Sequence, residues 1–293
     1  MSTAYAPNVV QSSGQRWRNR LAQPFVYLVA LVVVAIAVSP VLYVMLGGFR
    51  SNAQITRKPA GLPDPWILDN YTNVLTSGSF WAQVLSSTVI ALGTTAGVVL
   101  LGVMAAFVIA RYEFRGRQAL YSLYTAGLLF PLTIAILPLS IMLRDLGLWG
   151  NQLGVIIPQI AFALPVTIII LVPFLRAVPG ELEDAAAIDG AGKFGFFWRI
   201  LLPLSGPGLV TVGVLAFVGS WNAYLLPLFV LKAGGAPAAQ YTLPLGVAQF
   251  SSQYSSDTAG ILAFTSLAMI PALVFFLAMQ NRIVSGLQGA VKG

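Results

Sequence analysis

Apolar residues occur along this chain in long blocks, and the charged residues stand between the blocks. No Asp, Glu, Lys or Arg lies between Arg20 and Arg50, Asp69 and Arg111, Arg117 and Arg144, Asp145 and Arg176, Arg199 and Lys232, or Asp257 and Arg282. Backbone in lipid must satisfy its own hydrogen bonds, so a spanning segment is a helix of about 20 apolar residues. Each gap accommodates one such helix, and the pattern predicts six. In the second gap the start, Asn70 to Gln83, is polar, which confines the predicted span to 84–110. A seventh gap, Lys232 to Asp257, holds Gly234-Gly235-Ala236-Pro237, Thr242-Leu243-Pro244 and the polar run Ser251-Ser252-Gln253. Such turn-forming and polar residues predict an external loop. The first span follows a polar head, 1–20, exceeds a signal peptide's apolar region in length and has no clear small-residue cleavage site, so a retained helix is expected.

Composition narrows the class. Hydrophobic residues make up 57% of the 293 and charged residues 9%, against about 25% charged in soluble domains. Mean hydropathy is +0.83, so most of the chain has lipid as its solvent. Cysteine and histidine are both absent, which removes disulfides, thiolate chemistry and the most versatile general base and metal ligand. The net charge of +7 is scattered between apolar spans, where cations set membrane orientation rather than bind nucleic acid. Arg16, Arg18, Arg20, Arg111, Arg115, Arg117, Arg176, Lys193, Arg199, Arg282 and Lys292 fall on one side; Arg50, Arg57, Lys58, Arg144 and Lys232 fall on the other. The richer side is expected to be cytoplasmic, with both termini inside. Trp81, Trp149 and Trp198 fall near predicted span ends, where indoles prefer to sit.

The segment between the fourth and fifth spans, 177–203, has a different character. Pro179 and the acids Glu181, Glu183 and Asp184 suit the start of a helix and its positive dipole end. Leu182, Ala185 and Ile188 predict a narrow apolar face. Gly190 and Gly192 permit a tight turn, and a second short helix follows. Phe194, Phe196, Phe197 and Trp198 supply bulk for a groove on another protein or for the membrane interface.

The spacing here is specific. Asp184-Ala185-Ala186, then Gly190, Ile200, Leu202 and Pro203, resembles the permease signature of ATP-binding-cassette importers, with Asp in place of the usual Glu. Arg111-Tyr-Glu-Phe-Arg-Gly-Arg117, Ile160-Ala-Phe-Ala-Leu-Pro165, Gly219-Ser-Trp-Asn222 and Gly286-Leu-Gln-Gly-Ala-Val-Lys-Gly293 extend the likeness from Tyr71 to the end. Together they resemble carbohydrate-importer permeases of the maltose-transporter type, in the half of the pair that is similar to the smaller maltose subunit.

The resemblance implies an all-α integral membrane protein of six transmembrane helices, a type I importer permease fold, with a cytoplasmic coupling helix between spans four and five. The expected domains are a cytoplasmic tail 1–20, which carries no such signal and is expected to be poorly ordered, a permease domain 21–282 and a cytoplasmic tail 283–293. Glu181, Glu183, Asp184, Ala185, Ala186, Asp189, Gly190, Ala191, Ile200 and Pro203 are the implied ATPase-coupling residues, with Gln288, Gly289 and Lys292 as a further contact. The implied partners are a second homologous permease, two ATPase subunits and an extracytoplasmic sugar-binding protein, in a bacterial or archaeal plasma (inner) membrane. The external segments 48–83 and 232–256 are candidate docking surfaces for that binding protein.

ATP and Mg are implied on the ATPase alone. Gly190-Ala-Gly-Lys193 lacks the first glycine of a phosphate loop and is followed by Phe194 rather than Ser or Thr. A sugar path requires polar groups and aromatic faces at membrane depth, and Ser220, Trp221, Asn222 and Tyr224 offer them. Gly93 and Gly97 are expected to form a close packing surface, and Pro131, Pro138, Pro165, Pro227 and Pro271 can bend their helices. A self-contained secondary transporter is the alternative, but such proteins use intramembrane ionisable residues, which the spans lack. A membrane enzyme has no visible catalytic constellation here.

Overall fold

The structure, a computed structural model, describes residues 13–253 and 257–291, with side chains over 24–248 and 257–280. Among these residues the regular structure is helical: α1 (Ser13–Gly47), α2 (Asn52–Arg57), α3 (Asp69–Thr76), α4 (Gly78–Arg111), α5 (Arg117–Gly127), α6 (Leu132–Asp145), α7 (Leu153–Arg176), α8 (Glu181–Ile188) and α9 (Lys193–Phe196). A π-helical turn, Phe197–Leu201, leads into α10 (Leu202–Leu204) and α11 (Gly206–Trp221). Then come α12 (Leu225–Pro227), a second π turn (Leu228–Lys232), a 3-10 turn (Ala238–Gln240), α13 (Leu243–Gln253) and α14 (Thr258–Val291).

Four helical segments are long and apolar enough to cross a membrane: Pro24–Gly47, Gly78–Arg111, Leu153–Arg176 and Thr258–Gln280. Two bent pairs raise the number to six, Arg117–Gly127 with Leu132–Asp145 at 100° and Lys193–Leu204 with Gly206–Trp221 at 76°. The third expected span is therefore not one straight helix. Pro131 has no N–H to continue α5 and adopts extended backbone (φ −77°, ψ 131°), and α6 departs from it in a new direction. Pro158, Pro165 and Pro173 leave α7 continuous, so a proline alone does not decide where a span breaks.

Other boundaries also differ from the sequence expectation. The second span starts at Gly78 instead of residue 84, and α4 at 34 residues is longer than a bilayer requires. Helix α1 begins at Ser13, within the segment 1–20 expected as a cytoplasmic tail. The fifth span stops at Trp221, is interrupted at 222–224, and resumes only briefly before Lys232. The segment 232–256 is not a simple external loop. It carries α13, with Leu243 and Leu245 fully buried, and is pinned to α4: Ser86 Oγ donates to the Gln240 carbonyl at 2.6 Å, and the Leu243 amide to Ser87 Oγ at 2.8 Å.

The bundle is centred on α4, α7 and α11. Glycines let the first two approach closely, as expected for Gly93 and Gly97. A Cβ at Gly93 would meet Ile156 at 3.1 Å, and one at Gly97 would collide with Ile160. Helix α14 closes the other side of α11, where the Phe217 and Phe275 rings stack at 3.8 Å. At the far end of the bundle the buried Arg50 guanidinium donates to the carbonyls of Gln54, Lys58 and Pro59 and organises the α2–α3 connection.

Candidate functional site

The basic end of the bundle carries loop 177–203. Helix α8 has all three acids in its first turn, where the unpaired N–H groups favour negative charge. It ends because Gly190 takes φ +80°, a left-handed conformation that costs a residue with a Cβ about 1–2 kcal/mol. Gly192 is extended at φ −67°, so only the first glycine is demanded by the turn.

Side-chain direction splits this loop in two. Inward, Ala186, Phe196, Phe197 and Leu201 are buried against Phe107, Ile168, Leu171 and Leu175 of α4 and α7. Outward, Ile188 and Phe194 are 87% and 74% exposed. The expected apolar face of Leu182, Ala185 and Ile188 therefore does not pack on the protein; Ala186 does. The aromatic group is likewise divided, with Phe196 and Phe197 as anchors, Phe194 free of the core, and Trp198 at its edge against Phe197.

Arg111 fastens the loop to α4. Its Nε and Nη2 reach Glu183 Oε2 at 3.0 and 2.9 Å, Nη1 donates to the Val178 carbonyl at 2.7 Å, and the guanidinium lies 5.7 Å from the Phe196 ring. Lys193 Nζ sits 4.5 Å from the centre of the Tyr112 ring. Burial, then the Glu183 carboxylate, raise the Tyr112 phenol above its ordinary value, against the opposing pull of Arg111. Arg117 Nε caps α4 by donating to the Ile109 carbonyl at 2.8 Å. Of the coupling residues read from the sequence, Glu183 and Ala186 thus face the protein, whereas Glu181, Asp184, Ala185, Asp189, Gly190 and Pro203 are exposed, and Ala191 and Ile200 are half-buried. Gln288 and Gly289 lie in α14 at positions whose side chains are not described, and Lys292 is outside the described residues.

Among the described residues two cavities of about 530 and 460 Å³ flank the break after α11, within the range of about 300–1,000 Å³ of small-molecule sites. Trp221 and Asn222 line the larger, opposite Pro244, Thr265 and Phe276; Ser220 lines the smaller; Tyr224 borders both. The four path residues read from the sequence therefore do not form one site. Trp221 is buried against Phe217, and the Asn222 amide donates back to the Val218 carbonyl at 2.9 Å. In the smaller cavity Ser220 Oγ and Thr94 Oγ1 both donate to Gln159 Oε1, at 2.5 and 2.9 Å. Thr94 and Gln159 were not legible as site residues, because reading the spans by charge passes over uncharged polar side chains. Their signal is a glutamine inside the apolar run Leu153–Arg176.

This architecture defines a multi-pass helical membrane permease that presents a rigid helical loop at its basic end. The chain matches the family described as binding-protein-dependent transport system inner membrane component over residues 98–288, and it belongs to that family. It is 36% identical over 250 residues to the diacetylchitobiose uptake system permease protein NgcG of Streptomyces coelicolor, covering 85% of this chain and 82% of that one. It is 37% identical over 265 residues to the trehalose transport system permease protein SugB of Mycobacterium tuberculosis, covering 89% and 95%. The fold is that of a bacterial ABC transporter involved in the import of the acidic polysaccharide alginate, at TM-score 0.74 and 20% identity over 94% of this chain and 99% of the other. The protein is thus an importer permease with the type I fold and not itself an enzyme.

Proposed function

We propose that this chain forms half of the translocation path of an ATP-driven carbohydrate importer. Loop 177–203 docks in a groove of a separate ATPase subunit, and closure of two ATPase subunits around ATP and Mg rocks the spans through it. The observation that carries this reading is the outward projection of Ile188 and Phe194 from a loop whose opposite face is anchored to α4 and α7. Two large apolar side chains held rigidly in water fit a protein groove. A second homologous permease completes the path, and an extracytoplasmic sugar-binding protein delivers the solute to segments 48–83 and 232–256. Both termini lie in the cytoplasm, and 283–293, with Gln288, Gly289 and Lys292, reaches toward the ATPases. The carbohydrate class draws support from relatives named for diacetylchitobiose and trehalose.

The test is co-purification. The tagged chain, solubilised gently from its native membrane, is expected to bring an ATPase and a second multi-span permease, identified by mass spectrometry. Recovery of the chain alone, able to move solute without ATP, would replace this reading with a secondary transporter.

A further inference from the structure

We propose that Tyr112 is a positioning residue for coupling: its ring face holds Lys193, and with it the second helix of loop 177–203, on the end of α4. This role rests on the docking of the loop in an ATPase proposed above, and neither residue belongs to the permease signature. The two halves of the loop meet at Gly190, where the backbone is left-handed at φ +80°. Nothing lies within 4 Å of a Cβ added at Gly190 or Gly192, so neighbouring side chains do not brace the turn there. Each half then needs an attachment of its own. Arg111 attaches the half before the turn, through Glu183 at 2.9 Å. Tyr112 meets the half after it: Lys193 is the first residue of α9, and its Nζ lies over the Tyr112 ring, 4.5 Å from the centre. Consecutive residues at the end of one span thus reach the helices on both sides of one turn.

Local helix stability does not account for Lys193. A cation in the first turn of a helix faces the positive end of the dipole, and the one ion pair among the described residues joins Arg111 to Glu183. The ammonium lies instead on a π face, which attracts cations. That face is fixed from the α4 side. The Tyr112 amide donates to the Val108 carbonyl at 3.2 Å, and its ring meets Phe107 edge-on at 5.2 Å. Tyr112 Oη is buried without a partner, so the residue acts through its ring and not through a hydroxyl bond. Helix α9 has only four residues and runs into the π turn Phe197–Leu201. One turn of helix does not support itself, and π turns recur at functional sites. Phe196 and Phe197 fix the far end of α9 in the core, and the Tyr112 ring fixes the near end. Phe194, beside Lys193, is the outward side chain on which an ATPase groove acts in this half. Without the clasp the near end yields to that push, and α4 does not receive it.

The experiment uses the complete complex, purified from its native membrane and reconstituted in vesicles with ATP and its binding protein. Uptake of trehalose and diacetylchitobiose is measured alongside ATP hydrolysis, and coupling is the ratio of the two. Lys193→Met and Tyr112→Leu are each expected to lower that ratio at least threefold while the ATPase stays on the tagged chain. Tyr112→Phe and Lys193→Arg keep the ring face and the cation, so each should stay within twofold of wild type. The double variant Tyr112→Leu with Lys193→Met should fall no further than the lower of the two single ones. Unchanged coupling in Lys193→Met, a Tyr112→Phe variant as impaired as Tyr112→Leu, or losses that multiply in the double variant would each overturn the clasp. So would release of the ATPase by Lys193→Met, which would place Lys193 in the groove contact instead. Lys193 is exposed, so Lys193→Met decides if the Tyr112→Leu chain cannot be recovered from the membrane. Uptake of solute by the wild-type complex without ATP would instead defeat the docking reading on which the clasp rests.

Discussion

Arg111, the last residue of α4, and Glu183, in the first turn of α8, are joined at 2.9 Å, which ties the end of the second span to the first helix of loop 177–203. Glu183 is partly exposed, and its loss alone removes a contact of about 1 kcal/mol or less. Arg111 is more deeply set and also holds the Val178 carbonyl. Arg111→Met is therefore expected to uncouple uptake from ATP hydrolysis by tenfold or more, and Glu183→Gln by only a fewfold. Parallel assays of uptake and hydrolysis in vesicles check the order, and equal effects would contradict it.

Ile188 and Phe194 make no contribution to the core. Ile188→Asp and Phe194→Asp are expected to leave the thermal stability of the isolated permease within about 0.5 kcal/mol of wild type, as surface substitutions do. Retention of the ATPase on the tagged chain should fall at least tenfold. Full retention by both variants would remove the groove contact from the account.

At Gly190 the backbone matters and space does not, since nothing lies within 4 Å of an added Cβ. Gly190→Asn is expected to retain most coupled transport, because Asn tolerates the left-handed region, while Gly190→Val loses it. Equal transport by the two would show that the turn relaxes.

Packing between α4 and α7 gives the opposite case. Gly97→Leu drives a side chain into Ile160, and such overpacking costs about 1–3 kcal/mol or more. Lower yield and a lower melting temperature in detergent are expected, and Gly97→Leu combined with Ile160→Ala should recover part of both.

The absence of cysteine makes orientation directly measurable. Arg57→Cys should react with an impermeant maleimide on intact cells, and Glu113→Cys only after lysis. The reverse pattern would invert the proposed topology.

Much of this protein is legible along the chain because lipid is an unforgiving solvent. Charges cannot lie deep in it unpaired, so the gaps between Arg20, Arg50, Asp69 and their successors locate apolar segments before any contact is known. The left-handed turn at Gly190 is local too, and a spacing pattern can record it. Hydropathy, however, gives the depth of a residue and not the direction of its side chain or its helix. The chain turns at Pro131 but continues as one helix through Pro158 and Pro165, a difference that the proline positions themselves do not record. Tertiary structure alone sent Phe196 and Phe197 inward and left Phe194 out, and buried Leu243 and Leu245 of α13 beside α4. It also brought Thr94, Gln159 and Ser220 together from three helices. Uncharged polar side chains find their hydrogen bonds across helices, and those distances exist only once the bundle has closed.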